Sequence, residues 1–240
     1  MSELTTYEVD EAGVALLRFD RPDARNAINT AMLEELLERL SVARDDEAVR
    51  VLVISSTDHM GLSAGADIRE QLDREGAVRR IELFAQVYEA LTGFPKPTVA
   101  ACHGDCVGGG AEIAVACDLR IGGSNMRLRF PGAAMGMPVG PARLVTLCGL
   151  ATAKYLLFTS RIVSADEALR LGLVNRVAPA AATEDAALEM AAEVAAHPPE
   201  MVARLKAMLH RWDDVEDRSA DEGRGQVEWQ RSGRGLPYSE

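Results

Sequence analysis

The stretch from Thr98 to Ile121, TVAACHGDCVGGGAEIAVACDLRI, constrains this chain more than any other. Thr98 to Cys102 is a short apolar run between Pro97 and Gly104, the pattern of a buried strand. Three consecutive glycines, Gly108, Gly109 and Gly110, then open a helix of small residues, AEIAVAC. Glycines at a helix start leave backbone N–H groups bare, and these suit an oxygen that carries negative charge. Glu112 falls in the first turn of the same helix. An oxyanion site with a carboxylate beside it is equipment for acid/base chemistry next to a carbonyl. The same residues also suit a tight turn with close helix–strand packing, Glu112 merely complementing the helix dipole. A dinucleotide-binding fingerprint does not fit, because Ile113 stands where its third glycine is needed.

A matching stretch upstream favours the chemical reading. Val51 to Glu70 begins with VLVIS, a buried-strand run, and the small residues Ser63-Ala64-Gly65-Ala66 then lead into Asp67. This pair, AGAD after a strand and GGGAE opening a helix, resembles the crotonase superfamily, also called the enoyl-CoA hydratase/isomerase family. RPDARNAIN at Arg21 to Asn29 is similar to its N-terminal hallmark, and SADEALRLGLVNRV at Ser164 to Val177 to its downstream helix–strand signature. The resemblance implies an α/β fold, a crotonase-like spiral of repeated β-β-α units with a C-terminal helical region. Residues 1–178 would form the spiral core with an acyl-CoA site. Residues 179–240 would form the helical region, engaged in oligomerisation and part of the same functional unit.

Composition is consistent with this. At 240 residues, 48% of them apolar, the chain is long enough for one domain with a sizeable core. A net charge of −11 argues against nucleic-acid partners or an anionic membrane surface. No charged-then-apolar N-terminal segment and no apolar run approaching ~20 residues is read, so neither export nor a membrane span is expected. Cys102, Cys106, Cys117 and Cys148 form no C-x-x-C pair and are expected as buried free thiols, which points to a reducing, cytoplasmic setting. The four histidines lack ligand spacing, and no metal site is expected.

Along the chain, Thr6 to Asp10 and Val14 to Phe19 read as strands joined at Glu11-Ala12-Gly13. Met32, Leu33, Leu36, Leu37 and Leu40 mark a helical stripe, Val49 to Ser55 a strand, and Ile81 to Leu91 a second stripe, a region that walls the acyl pocket in the resembled family. Met126 to Arg143 reads as irregular and holds no Asp or Glu. Ser164 with Glu167 forms a capping box for a helix ending at Gly172, and Leu173 to Ala178 is the last strand. Helices over Ala182 to Ala196 and Glu200 to Trp212 follow. The charged, glycine- and arginine-containing stretch from Asp213 to Glu240 departs from the family's usual ending.

The resemblance assigns roles residue by residue. The backbone N–H groups of Ala66 and Gly109 would form the oxyanion hole, beside Glu112 as catalytic residue. Coenzyme A, entering as part of the substrate and not as a separate cofactor, would meet Arg25, Ala27, Ala64, Ala66, Asp67 and Ile68. Gly132 and Met135 would border the substrate pocket. Asp118 reads as structural. Hydratases of the family use two glutamates, and the second belongs just after a proline, where this chain has Pro131-Gly132. A further acid used elsewhere in the superfamily is replaced by Gly140. Three readings stay open: a lyase or isomerase acting on acyl-CoA thioesters with Glu112 as single acid/base, an atypical hydratase recruiting water or another group, and a non-catalytic acyl-CoA binder. Gly132 would leave room at the pocket, and Gly132→Glu would raise hydration. A homotrimer or hexamer is the implied assembly.

Overall fold

A computed structural model describes residues 3–238. The N-terminal hairpin pairs β1 (Thr5–Val9) with β2 (Val14–Phe19) in antiparallel register, Thr5 opposite Phe19. Its turn is pinned by the Asp10 carboxylate, which accepts from the amides of Ala12 and Val14 at 2.9 and 2.8 Å. Next come α1 (Thr30–Asp45), capped by the Asn29 side chain on the Met32 amide, β3 (Val51–Ser56) and α2 (Arg74–Thr92), capped by Asp73. The central stretch folds as β4 (Thr98–Cys102), β5 (Asp105–Val107), α3 (Gly109–Ala116) and β6 (Leu119–Gly123).

The main sheet runs β1-β2-β3-β4-β6, then β9 (Arg176–Ala178), parallel from β2 onward. Its central strands β3 and β4 are buried at every position and mostly apolar, because both faces are covered. Ala15, Leu17, Phe19, Leu52, Ile54, Ala100 and Cys102 face the main core with α1 and α2. The alternate residues Val14, Leu16, Val51, Val53, Val99 and Ala101 face a second core, closed by Ala187, Met190, Ala191 and Ala195 of α7 (Thr183–Ala195). Alanines every four residues let that helix lie close on the sheet.

The segment expected to be irregular contains real structure. It holds β7 (Arg127–Arg129), the short α4 (Gly132–Met135) and the start of α5 (Pro141–Thr159). With β5 and β8 (Ile162–Ser164), β7 makes a small second sheet. Helix α5 is, among the described residues, long and apolar enough by composition to cross a membrane, though not as an uninterrupted apolar run. Its backbone is non-helical at Gly149, and Arg143 and Lys154 lie within it. Helix α6 (Ala165–Arg170) is capped by the Ser164 hydroxyl on the Glu167 amide, but the Glu167 carboxylate pairs with Arg161 and does not complete the expected capping box. The last strand is shorter than expected, because the amides of Leu173 and Val174 turn back to the Ala168 carbonyl. Cys102, Cys106 and Cys117 are buried, whereas Cys148 is only half-buried.

After α7 come α8 (Pro199–Asp213) and α9 (Val215–Arg231). The stretch from Asp213 onward is therefore largely helical, residues 239 and 240 lying outside the described residues. Helix α9 packs along α2 and against α5. Arg231 pairs with Glu82 at 2.7 Å, and the Trp229 indole donates to the carbonyls of Gly136 and Arg234 at 2.7 and 3.0 Å. The described C-terminal stretch is thereby folded back onto the elements around α3.

Candidate active site

Strands β3 and β4 end on the same side of the sheet, and the loops leaving them meet. The Ser63 hydroxyl donates to the Asn26 carbonyl at 2.6 Å and accepts from the Gly65 amide at 3.1 Å. Asn26 itself is buried and donates to Ser56 Oγ and the Leu62 carbonyl, which fixes the Arg21 to Asn29 loop against the strand end. Ile28 brackets Ala66 through bonds to Gly65 and Asp67, at 2.8 and 2.9 Å. Among the described residues this leaves the Ala66 N–H without a partner.

The second loop is shaped by close approach. At Gly104 a Cβ would stand 1.9 Å from the Met60 carbonyl oxygen, so only glycine lets the strands after β3 and β4 touch. Gly108 takes φ 52° and donates to the Arg129 carbonyl, which turns the chain into α3. Gly109, first residue of α3, has an amide that no other described group engages. A Cβ on Gly110 would lie 2.6 Å from Ser63 Cβ, so the start of α3 sits directly on the loop that carries Ala66.

Ala66 and Gly109 both line one cavity of about 890 Å³. Of the residues singled out from sequence, Arg25, Ala27, Ala64, Asp67, Ile68, Gly132 and Met135 line it too. Its inner wall is apolar, with Ile81, Phe84 and Tyr88 from α2, Met137, Val139 and Leu236, while its mouth carries Arg21, Asp23, Arg69 and Glu70. Arg25 is largely exposed. Asp67 is engaged by Arg21 at 2.6 Å. Burial pushes its carboxyl up, but the bonds from Arg21 and the Arg69 amide hold it below the usual carboxylate range.

Glu112 lies behind this wall, not on it. It is 1% exposed, and its Oε2 accepts from Arg143 Nη2 at 2.9 Å and Nε at 3.3 Å. Arg143 is equally buried, and the same Nη2 bonds Glu222 Oε1 at 2.6 Å. Glu222 also accepts from the amides of Ala142 and Gly140, at the start of α5, and from Gln226. Glu112 Oε1 is buried and without a hydrogen bond. Burial is the main force on this carboxyl and raises it to about 7, Arg143 pulling it down and Glu222 pushing it up. The Arg143 guanidinium lies 4.8 Å over the ring of Tyr88, the residue between this cluster and the cavity. Burial and the nearby Glu112 charge hold the Tyr88 hydroxyl protonated, well above its ordinary range.

The room expected at Gly132 is absent. A Cβ there would stand 2.6 Å from the Met137 carbonyl oxygen and 3.1 Å from Val139 Cγ1, because the short α4 turns back on itself. Gly140 takes φ 107°, and its Cβ would meet Glu112 Oε1 and Leu157 at 2.8 Å. Neither glycine position accepts a carboxylate without backbone movement. Asp118 lies at the opposite end of β4, where it accepts from the Thr98 amide and hydroxyl and from Lys206 at 2.7 Å. No group of three or more potential metal ligands occurs among the described residues.

Arg143, Glu222, Gln226 and Leu236 are site residues that the sequence does not single out, whereas Arg21 opens the RPDARNAIN hallmark and Tyr88 belongs to the helical stripe read as pocket wall. Arg143 carried a signal, since an arginine in an apolar segment without acids needs a distant carboxylate. Glu222 carried none.

The sequence model of the family described as "Enoyl-CoA hydratase/isomerase" matches residues 9–226. The chain is 35% identical over 216 residues to the short-chain-enoyl-CoA hydratase of Clostridium acetobutylicum, covering 87% of this chain and 82% of that protein. It is 32% identical over 218 residues to the 2,3-dehydroadipyl-CoA hydratase of Escherichia coli, covering 90% and 84%. The crystal structure of an enoyl-CoA hydratase/isomerase from Xanthobacter autotrophicus superposes with a TM-score of 0.87 at 24% identity, over 99% of this chain and 90% of that one. The overall architecture is thus the crotonase-like fold, C-terminal helices included.

Proposed function

The chain belongs to the enoyl-CoA hydratase/isomerase family, and we propose that it is a lyase or isomerase acting on acyl-CoA thioesters with Glu112 as its single acid/base. The observation that carries this reading is the meeting of two unengaged amides, Ala66 and Gly109, on one apolar cavity, with Glu112 one turn along the same helix. In this reading the thioester oxygen lies between the two N–H groups, which stabilise it most when proton removal turns it into an enolate oxygen. Loss of one such donor costs about two to three orders of magnitude in rate. The acyl chain occupies the wall of Ile81, Phe84, Met137, Val139 and Leu236, and the charged mouth at Arg21, Arg25 and Arg69 receives the coenzyme A phosphates.

A carboxyl near 7 both takes and returns a proton at neutral pH, which suits a one-carboxylate shuttle. Because Glu112 stands behind the cavity wall, proton exchange requires its side chain to turn toward Gly109 or a water to link the two. Hydration with water recruited in place of the second glutamate is the second reading, favoured by the hydratase names of the relatives. A buried carboxyl on the helix that opens with Gly109 speaks for an enzyme over a pure binder.

Residues 1–178 supply the sheet and the cavity loops in this account, and residues 179–240 the covering helices, the two acting as one unit through Gln226 and Leu236. A homotrimer or hexamer is supported by α8, which buries Lys206 but exposes Met201, Leu205, Leu209 and Trp212 along one face. Leu150, Tyr155 and Phe158 of α5 are exposed as well. Light scattering giving a monomer mass would remove this assembly. The free thiols support a reducing compartment, the cytoplasm. The activity itself is tested by incubating the protein with a panel of saturated and unsaturated acyl-CoA thioesters and following products by mass spectrometry. Turnover of at least one thioester is expected. No turnover, together with no calorimetric heat at millimolar ligand, would overturn the reading.

A further inference from the structure

Sequence-distant Glu222 and Glu112 are joined through one nitrogen. Arg143 Nη2 bonds Glu112 Oε2 at 2.9 Å and Glu222 Oε1 at 2.6 Å, so the two carboxylates stand no farther apart than those two bonds laid end to end. All three side chains are buried, Glu112 and Arg143 almost completely. Two acids on one guanidinium leave an excess negative charge where water cannot screen it. Glu222 is the better satisfied of the two, with the Ala142 amide at 2.8 Å, the Gly140 amide at 3.2 Å and Gln226 at 3.0 Å, whereas Glu112 Oε1 has no hydrogen bond at all. The excess charge therefore falls on Glu112.

We propose that Glu222, through the Arg143 guanidinium it shares, is a positioning residue that orients the Glu112 carboxyl and sets its protonation, making α9 a working part of the active site. This rests on the reading of Glu112 as the acid/base. The groups facing Glu112 are Arg143 from α5, Glu222 from α9 and the Tyr88 ring and hydroxyl from α2. Tyr88 stays neutral, so the balance is between one cation and one competing anion. Removing Glu222's charge gives Arg143 wholly to Glu112 and favours its ionised form. Removing Arg143's charge leaves two buried carboxylates facing each other and favours protonation. The helix also acts sterically: Glu222 closes the first turn of α5 over Gly140, the residue that abuts Glu112 Oε1. This arrangement gives the reaction its poised carboxyl without a second glutamate in the cavity.

The test is carbon-13 NMR of glutamate carboxyls in the full chain, with Glu112 assigned from the Glu112→Gln spectrum and Glu222 from the Glu222→Gln spectrum. In the unmodified protein Glu112 should titrate near 7, and the Glu222 carbon should report that transition as a change in chemical shift, because both carboxylates bond the same Arg143 Nη2. Glu222→Gln should lower the Glu112 midpoint by about one pH unit or more, and Arg143→Gln should raise it. The pH limb of kcat/KM should move with the midpoint in each variant. A Glu222 carbon that is silent through the Glu112 transition would overturn the inference without recourse to any variant, as would an unmoved midpoint in Glu222→Gln. Absence of turnover with the coupled titration intact would instead remove the catalytic reading and leave the coupling standing.

Discussion

Arg143 and Glu112 meet at 2.9 Å with both side chains shut off from solvent, one from the start of α5 and the other from the first turn of α3. A buried carboxylate in this chain is thus held by a cation the sequence places 31 residues away. A buried pair of this kind adds little to stability unless its remaining atoms are satisfied, and here Glu112 Oε1 is not. The pairing is therefore weak support for the fold, in keeping with the proposed role of Glu112 in proton transfer.

Glu112→Gln should lower turnover of the true substrate by about two to four orders of magnitude while leaving its binding within a few-fold. Steady-state kinetics and calorimetry on the same thioester separate the two effects. Unchanged turnover would remove Glu112 from the acid/base role.

Proton abstraction requires the carboxylate, and burial places the Glu112 carboxyl at about 7. Since the ionised fraction grows with pH, kcat/KM should rise through a midpoint near 7 and level off at alkaline pH. A profile that falls with pH across this range would contradict the assignment.

Gly132→Glu should fail to create a hydratase. The added Cβ meets the Met137 carbonyl oxygen at 2.6 Å, a backbone atom that cannot give way cheaply. The expected result is a protein with a lower melting temperature and crotonyl-CoA hydration no higher than that of the unmodified chain. A rise of about tenfold or more would show that α4 rearranges freely.

Asp118→Asn should lower stability and spare catalysis. Asp118 satisfies the Thr98 amide and hydroxyl and the buried Lys206, at the end of β4 remote from the cavity. Breaking such a pair costs about 3 kcal/mol. Burial raises the Asp118 carboxyl, but His210, Lys206 and Thr98 together hold it below its ordinary value. A depressed carboxyl contributes stability above its unfolded value and loses it as pH falls through the folded one. Urea midpoints should therefore fall on acidification in the unmodified protein and less so in Asp118→Asn.

Leu236→Ala should enlarge the inner end of the cavity, since Leu236 lines it and is fixed by paired bonds to Gln230 at 2.8 and 3.0 Å. The ratio of kcat/KM for longer over shorter acyl chains should rise by up to about tenfold. An unaltered ratio would mean that the acyl group does not reach the chain's C-terminal segment.

Much of this was legible in the sequence, because the features concerned are local. The apolar run of β4, the glycines before α3, the Ser164 cap and the stripes of α1 and α2 each depend on neighbours a few residues away. The loops carrying Ala66 and Gly109 are legible through motif likeness, and the cavity residues around them follow. Hidden was everything set by distant packing: the Arg143–Glu222 link across 79 residues, the seating of Leu236 in the cavity, and the backbone crowding at Gly132. A glycine in the sequence reads as open space until the carbonyl that fills it is located. The charged composition of α9 likewise reads as solvated surface, though its Glu222, Gln226 and Gln230 are turned inward to specific partners.

The central claim is that Glu112 moves a proton at the α-carbon while Ala66 and Gly109 hold the enolate oxygen. Exchange with solvent tests it without knowledge of the true acyl group. Saturated acyl-CoA thioesters of several chain lengths are incubated in deuterium oxide with the unmodified protein and with Glu112→Gln, and their masses are followed. The account predicts deuterium entering the α-position of at least one thioester with the unmodified protein, slowed by about a hundredfold or more in Glu112→Gln. Equal incorporation by both proteins, or none with any thioester that binds, would contradict it.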